Sequence, residues 1–150
     1  MKLILIQQKN ETYVTKFGLL PFPYQVKLYD FQSLFAGKIH ACLCGNWKTR
    51  VKGRDFYDYM FFLSIGAKVN LNNLKVKLVQ SNYINNDYNL TIDNVKTLLI
   101  ERFQNLDINQ AKEDVLPFLK NKSKIDIWSN EFFIKITKIF KEYKTMRLLH

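Results

Sequence analysis

Cysteine, histidine, proline and glycine are all scarce in this 150-residue chain, and acidic residues are few beside basic ones. The two cysteines, Cys42 and Cys44, are two positions apart, which is a poor geometry for a disulfide between them. No second group of cysteine and histidine completes the four ligands of a zinc site, and His40 and His150 do not form a pair. We therefore expect buried or free thiols, no zinc centre and no dependence on an oxidising compartment.

Long apolar runs are also missing. No stretch approaches the roughly 18 consecutive apolar residues of a membrane-spanning helix. The short apolar run at residues 1–6 is too brief for the core of a signal peptide, and no cleavage signature follows it. These absences predict a cytoplasmic protein with no membrane partner.

The residues that are abundant describe a folded, basic protein. Apolar residues make up 47% of the chain and aromatic residues 15%, which is typical of a domain with a true core and unlike a disordered segment. The net charge of +10, from 23 Lys and Arg against 13 Asp and Glu, would attract a polyanion such as nucleic acid. A biased genome composition, rich in Lys, Asn and Ile, is the alternative explanation for this charge.

The first thirty residues have the pattern of short strands. Residues 2–7 and 12–17 are apolar or β-branched and are separated by a polar turn, which predicts a hairpin. Gly18 and the Pro-Phe-Pro segment at 21–23 then interrupt regular structure, and residues 25–29 alternate as a third strand would. We expect this three-stranded element to pack against the helices that follow.

From Asp30 onward the apolar spacing changes to that of helices. Asp30 is a good N-cap for a helix over 31–44, and Gly66 is placed to end a second helix over 54–65. In the last predicted helix, the stripe Phe132, Ile136, Ile139 and Tyr143 is expected to face the core. The remaining predicted helices cover residues 71–82, 91–105, 108–119 and 127–146.

Residues 30–63 hold the candidates for chemistry. Asp55 and Asp58 are three positions apart, so on a helix their carboxylates share one face. Early acids can also serve only to stabilise a helix dipole, and Lys38 could simply extend to solvent. Together, however, these residues would suit an anionic nucleotide, because cations hold phosphates and a carboxylate positions a cation or a hydroxyl group. The basic residues of this segment are Lys38, Lys48, Arg50, Lys52 and Arg54.

The segment SLFAGKIHACLC, followed by NWKTRVKGRDFYDYMFFL, resembles the shared block of the AbiEii/AbiGii nucleotidyltransferase toxins of abortive infection, which belong to type IV toxin–antitoxin systems. In that block a helix with Lys in an A-G-K-x-H-A context precedes a K-G-R-D-x-Y-D helix. The resemblance covers residues 19–65, including the LLPFP approach, and residues 67–150 share only a helical character with the family.

The resemblance implies a fold and a set of site residues. It implies an α+β fold, in which residues 1–66 form the C-terminal part of a nucleotidyltransferase-like domain with a small β element and residues 67–150 form a helical bundle. Some members of the family attach nucleotides to transfer RNA acceptor ends, which fits the basic charge. By position, Lys38 and Asp55 would be catalytic, Arg54 and Asp58 would support them, and Lys48, Arg50 and Lys52 would bind nucleic acid.

The chain also departs from the family. It has no Gly-Gly or Gly-Ser motif followed by Asp-x-Asp, the elements that bind triphosphate and metal in this superfamily, and Ile4 and Ile6 stand where relatives tend to carry an acidic residue. Mg²⁺ and a nucleoside triphosphate are therefore expected only in the complete enzyme. We expect a truncated or split enzyme, inactive alone, with an antitoxin or an N-terminal nucleotidyltransferase chain as partner. A non-catalytic basic module that binds RNA, or a helical interaction protein, are the alternatives.

Overall fold

A computed structural model describes residues 31–45 and 51–140 in full, and residues 13–18 and 24–29 through their backbone. The two strands are Tyr13–Gly18 (β1) and Tyr24–Tyr29 (β2). They pair antiparallel, with Tyr13 opposite Tyr29 and Gly18 opposite Tyr24. The strand predicted at residues 2–7 lies outside the described residues.

The predicted α+β class is wrong, because the body of the described chain is a helical bundle. Within the described backbone, the two strands contact mainly each other. A two-stranded ribbon offers too little surface to form a packed layer, so burial is left to the helices. Within the described residues, β1 and β2 form a hairpin that precedes the bundle.

The first two helices are Phe31–Cys44 (α1) and Gly53–Ser64 (α2). Both predicted helices are confirmed, α1 at the same bounds and α2 within one residue. α1 buries Phe35, Ile39 and Cys42, which recur at the spacing of one helical face. Gly66 follows α2 with a positive φ of 67°, a conformation that suits glycine after a helix end.

Four more α-helices complete the described part of the bundle, and each begins at a side-chain cap. Asn70, Thr91, Asp107 and Ser129 each accept a hydrogen bond from a backbone amide three residues ahead. The predicted helix over 108–119 is shorter, because a 3₁₀ turn containing Pro117 follows its α-helical part. The helices are Leu71–Gln80 (α3), Ile92–Gln104 (α4), Ile108–Val115 (α5) and Asn130–Ile139 (α6), with 3₁₀ turns at Leu116–Phe118 and Lys122–Ile125.

The buried stripe of α6 differs from the predicted one by one position. Phe133, Thr137 and Phe140 are buried, whereas Ile139 is 68% exposed, so the prediction that it faces the core is wrong. Thr137 can occupy a core position because its hydroxyl lies 2.7 Å from that of Tyr59 on α2 and donates to the carbonyl of Phe133. Tyr143 lies outside the described residues.

Aromatic rings join α2, α4 and α6 at the centre of the bundle. The ring centroids of Phe103 and Phe133 are 5.1 Å apart, and Phe56 contacts both rings edge to face at 6.0 Å. Such pairs stabilise a core beyond the area they bury. α2 therefore has a fixed position against α4 and α6, and its opposite side is available to face α1. None of the described helices is both long and apolar enough to cross a membrane.

Candidate active site

Lys38 connects α1 to two carboxylates of α2. Its Nζ lies 2.8 Å from Oδ2 of Asp58 and 3.4 Å from Oδ1 of Asp55. The three side chains are partly exposed, at 33% for Lys38, 20% for Asp55 and 38% for Asp58. A single ammonium group thus lies between two carboxylates at a solvent-accessible junction of two helices.

The charge on Lys38 is held by these carboxylates. Partial burial alone would lower the pKa of the ammonium, because it penalises the charged form. The hydrogen bond and charge of Asp58, followed by those of Asp55, outweigh this effect and raise the pKa of Lys38 above its ordinary value. Lys38 is therefore a cation throughout the neutral range, in a position fixed by two partners.

The start of α2, which carries both carboxylates, is anchored to α5. The backbone amide of Gly53 donates a 2.8 Å hydrogen bond to Oδ2 of Asp114. A Cβ on Gly53 would overlap the carbonyl oxygen of Ala111, so only glycine permits this close approach. The glycine of the K-G-R-D motif is thus required by helix packing, and Asp114 helps to set where Asp55 and Asp58 lie.

The end of α1 is held from α4. Arg102 donates from Nε to the carbonyl of Cys42 and from Nη2 to the carbonyl of Gly45, both at 3.4 Å. A cation at this place complements the negative end of the helix dipole, and α1 has no basic residue of its own in its last turn. Arg102 therefore holds the C-terminal end of α1 in place.

Cys42 is a packing residue at this junction. It is fully buried, and its Sγ lies 3.8 Å from the backbone carbonyl of Asp55, to which it donates. Burial raises the pKa of its thiol well above the ordinary range, and the nearby Asp55 adds to this rise. Cys42 is consequently a neutral thiol that contributes to α1–α2 packing.

The predicted site residues separate into two groups. Lys38, Asp55 and Asp58 are brought together, whereas Arg54 points to the 3₁₀ turn after α5, where its guanidinium carbon lies 4.7 Å from the centroid of the Phe118 ring. Lys52 is exposed next to the start of α2. The other two loop residues of the prediction, Lys48 and Arg50, lie outside the described residues.

Sequence reasoning missed Asp114, Arg102 and Phe118, which contact the motif helices from α4 and from the α5 region. No local signal marks them, because their partners lie about 60 residues away in the chain, as the separations of 61 for Gly53–Asp114 and 60 for Cys42–Arg102 show. Only the packing of the bundle brings these residues to the motif.

The two carboxylates of the cluster are already paired with a cation. Over residues 31–45 and 51–140, no group of three or more His, Cys, Asp or Glu side chains is arranged to hold a metal. Mg²⁺ requires near-octahedral oxygen ligands, whereas Asp55 and Asp58 already enclose an ammonium. The chemistry of this donor set is that of an ion-pair cluster.

Comparison with known proteins identifies a family. The family model described as nucleotidyl transferase AbiEii toxin, type IV TA system, matches residues 8–135. This range extends from before β1 into α6, well beyond the motif helices. No curated protein and no solved structure gives a match.

Proposed function

The chain belongs to the nucleotidyl transferase AbiEii toxin family of type IV toxin–antitoxin systems, and we propose that its Lys38 cluster is the phosphate-binding side of a nucleotidyl-transfer site. The observation that carries the proposal is the placement of the Lys38 ammonium between Asp55 and Asp58 at a solvent-accessible junction. An ammonium group is a compact point charge that binds phosphate oxygens well.

The two carboxylates have separable roles in this proposal. Asp58 makes the shorter contact, 2.8 Å, and holds the ammonium in place. Asp55 makes the longer contact, 3.4 Å, and is the less exposed of the two. A phosphate that binds Lys38 would weaken this longer contact first, which would leave Asp55 able to accept a hydrogen bond from an attacking hydroxyl group.

Residues outside the 150-residue sequence are proposed to supply the metal site. Nucleotidyl transfer needs a cation to offset charge on the phosphorus-bound oxygens, and the Gly-Ser and Asp-x-Asp motifs that serve this purpose are missing from the sequence. With Mg²⁺ and a nucleoside triphosphate bound there, Lys38 would contact the polyphosphate from the α1 side. An antitoxin is the second proposed partner, as the type IV system implies.

RNA, and transfer RNA in particular, is the proposed acceptor. The net charge of +10 favours a polyanionic substrate, and the basic residues Lys48, Arg50 and Lys52 precede α2 directly. Phosphate contacts of this kind position a nucleic acid without reading its sequence. The acceptor end could then reach Asp55 at the first turn of α2.

A transfer assay tests the proposal. The chain is incubated with Mg²⁺, transfer RNA and each α-labelled nucleoside triphosphate, alone and with a nucleotidyltransferase polypeptide that carries Gly-Ser and Asp-x-Asp motifs. We expect transfer only in the mixture, lowered by about 100-fold in Lys38→Met, the size expected when a preorganised group that stabilises charge is removed.

Lys135→Met is the matched control, because Lys135 is exposed on α6, and it should leave transfer unchanged. Robust turnover by the chain alone would overturn the proposal of an incomplete site. Transfer in the mixture that Lys38→Met does not affect would overturn the role of Lys38.

A further inference from the structure

Phe118 presents an aromatic ring to solvent from the 3₁₀ turn that follows α5. It is 59% exposed, whereas its neighbours Leu116 and Leu119 pack against the core. Because these two leucines are anchored and Pro117 restricts the backbone between them, the ring is held outward on a short, fixed turn. A single exposed apolar residue is common in proteins, so whether Phe118 marks a binding site depends on the residues around its ring.

Basic residues lie close to Phe118, Arg54 in space and several lysines in sequence. The guanidinium of Arg54 stacks on the ring, with its central carbon 4.7 Å from the ring centroid. Residues 116–125 contain no acidic residue, although Glu113 and Asp126 flank them, and the carboxylate of Asp114 accepts the Gly53 amide. The exposed lysines of this segment are Lys120, Lys122 and Lys124.

We propose that Arg54 and Phe118 form a stacking platform for an unpaired base of single-stranded RNA, and that Lys120, Lys122 and Lys124 hold the adjoining phosphates. Bases stack on aromatic side chains whatever their sequence, and an arginine against the ring adds a favourable cation–π contact. The three exposed lysines supply cations for phosphates close to the ring in sequence, and Lys122 and Lys124, two positions apart in a 3₁₀ turn, extend from different sides of it.

The platform and the proposed transfer site share the first turn of α2. Arg54 immediately precedes Asp55 in the first turn of α2, so a strand stacked on Phe118 would have its neighbouring nucleotides at the start of that helix. The platform rests on the proposed function only for the identity of the RNA. Its existence as a binding surface is a separate claim, which can be tested without any transfer.

Fluorescence anisotropy with a labelled 12-nucleotide oligouridylate, titrated at several salt concentrations, tests the platform in the full chain. Phe118→Ala should weaken binding by about 10-fold, within the 1–3 kcal/mol of stacking per base. The slope of log affinity against log salt should not change, because every lysine that holds a phosphate is still present. Phe118→Trp should retain wild-type affinity, and thermal melts should show that every variant folds.

Two further variants separate stacking from charge. Lys120→Ala with Lys122→Ala should reduce the magnitude of the salt slope by about 1.4, or 0.7 for each phosphate that is no longer neutralised. Phe61→Ala removes another exposed phenylalanine, 46% exposed on α2, and should leave RNA affinity unchanged. Lys135→Met, which removes an exposed lysine from α6, should bind the oligonucleotide normally. The assay contains no nucleoside triphosphate, which keeps this test distinct from that of the transfer site.

Three results would overturn the platform. The first is wild-type RNA affinity in Phe118→Ala, and the second is an equal loss of affinity in Phe61→Ala. The third is that the chain binds polyglutamate as tightly as RNA and that Phe118→Ala changes neither affinity. That result would assign the lysines to an acidic protein partner.

Discussion

Lys38 and Asp58 join the middle of α1 to the second turn of α2, with Nζ 2.8 Å from Oδ2. The pair does not sit in the core, and it links the two helices that carry the motif. Its partial exposure means that its contribution to the free energy of unfolding is small, as for other solvent-accessible ion pairs. Its structural effect is to hold a cation at the junction of α1 and α2.

Asp58→Asn should lower the pKa of Lys38 more than Asp55→Asn does. Asp58 provides the largest effect that raises this pKa, and burial alone would lower it. Because the folded pKa lies above that of the unfolded chain, the cluster stabilises the fold below the unfolded pKa, and this contribution disappears as pH rises through the folded pKa. An NMR titration of the Lys38 side chain, assigned with Lys38→Met, measures the change. Equal titration curves in wild type and Asp58→Asn would contradict this prediction.

Gly53→Ala should lower the free energy of unfolding by about 3 kcal/mol, the upper end of the cost of overpacking. The added methyl group would overlap backbone at Ala111, which cannot move as a side chain can. Gly37→Ala is the matched control within a helix, since a Cβ there meets no atom within 4 Å. It should stabilise the protein by about 0.5–1 kcal/mol through helix propensity. Urea denaturation measures the free energy of unfolding of both variants. An equal effect of the two substitutions would refute the close approach of α2 and α5.

Thr137→Val should destabilise the protein more than Tyr59→Phe does. The first substitution leaves the buried Tyr59 hydroxyl without its partner, which costs about 1–3 kcal/mol. The second leaves Thr137 bonded to the carbonyl of Phe133. Chemical denaturation of both single variants and the double variant measures the coupling. A greater destabilisation in Tyr59→Phe than in Thr137→Val would show that the hydroxyl pair is not what permits threonine in the core.

The parts of the fold that follow from local signals could be predicted from the sequence. α1 has apolar residues at helical spacing and ends where Gly45 follows, so its bounds were predictable. The stripe of α6 was misplaced because apolar periodicity cannot anticipate a threonine paired with Tyr59, 78 residues away. The β element was overestimated for a related reason, since alternation predicts strands but not whether they join a larger sheet.

The candidate site was likewise predictable from the sequence only in part. The motif places Lys38, Asp55 and Asp58 on two helices, and their convergence follows once α1 packs on α2. The direction of Arg54 was not predictable, because adjacent helical residues point about 100° apart and the partner of Arg54 comes from the α5 region. The contacts of Asp114 and Arg102 were not predictable for the same reason, because only tertiary packing brings these residues to the motif helices.

The most direct measurement of the central claim is equilibrium binding of nucleoside triphosphates to the chain combined with a polypeptide that carries the Gly-Ser and Asp-x-Asp motifs, by isothermal titration calorimetry at low salt. The wild-type chain and Lys135→Met should bind a triphosphate with the same affinity, weakened as salt is added, because the contact is between a cation and phosphate. Lys38→Met should bind at least about 10-fold more weakly, corresponding to about 1.4 kcal/mol. Binding by Lys38→Met that equals wild type would contradict the assignment of Lys38 as the phosphate-binding residue.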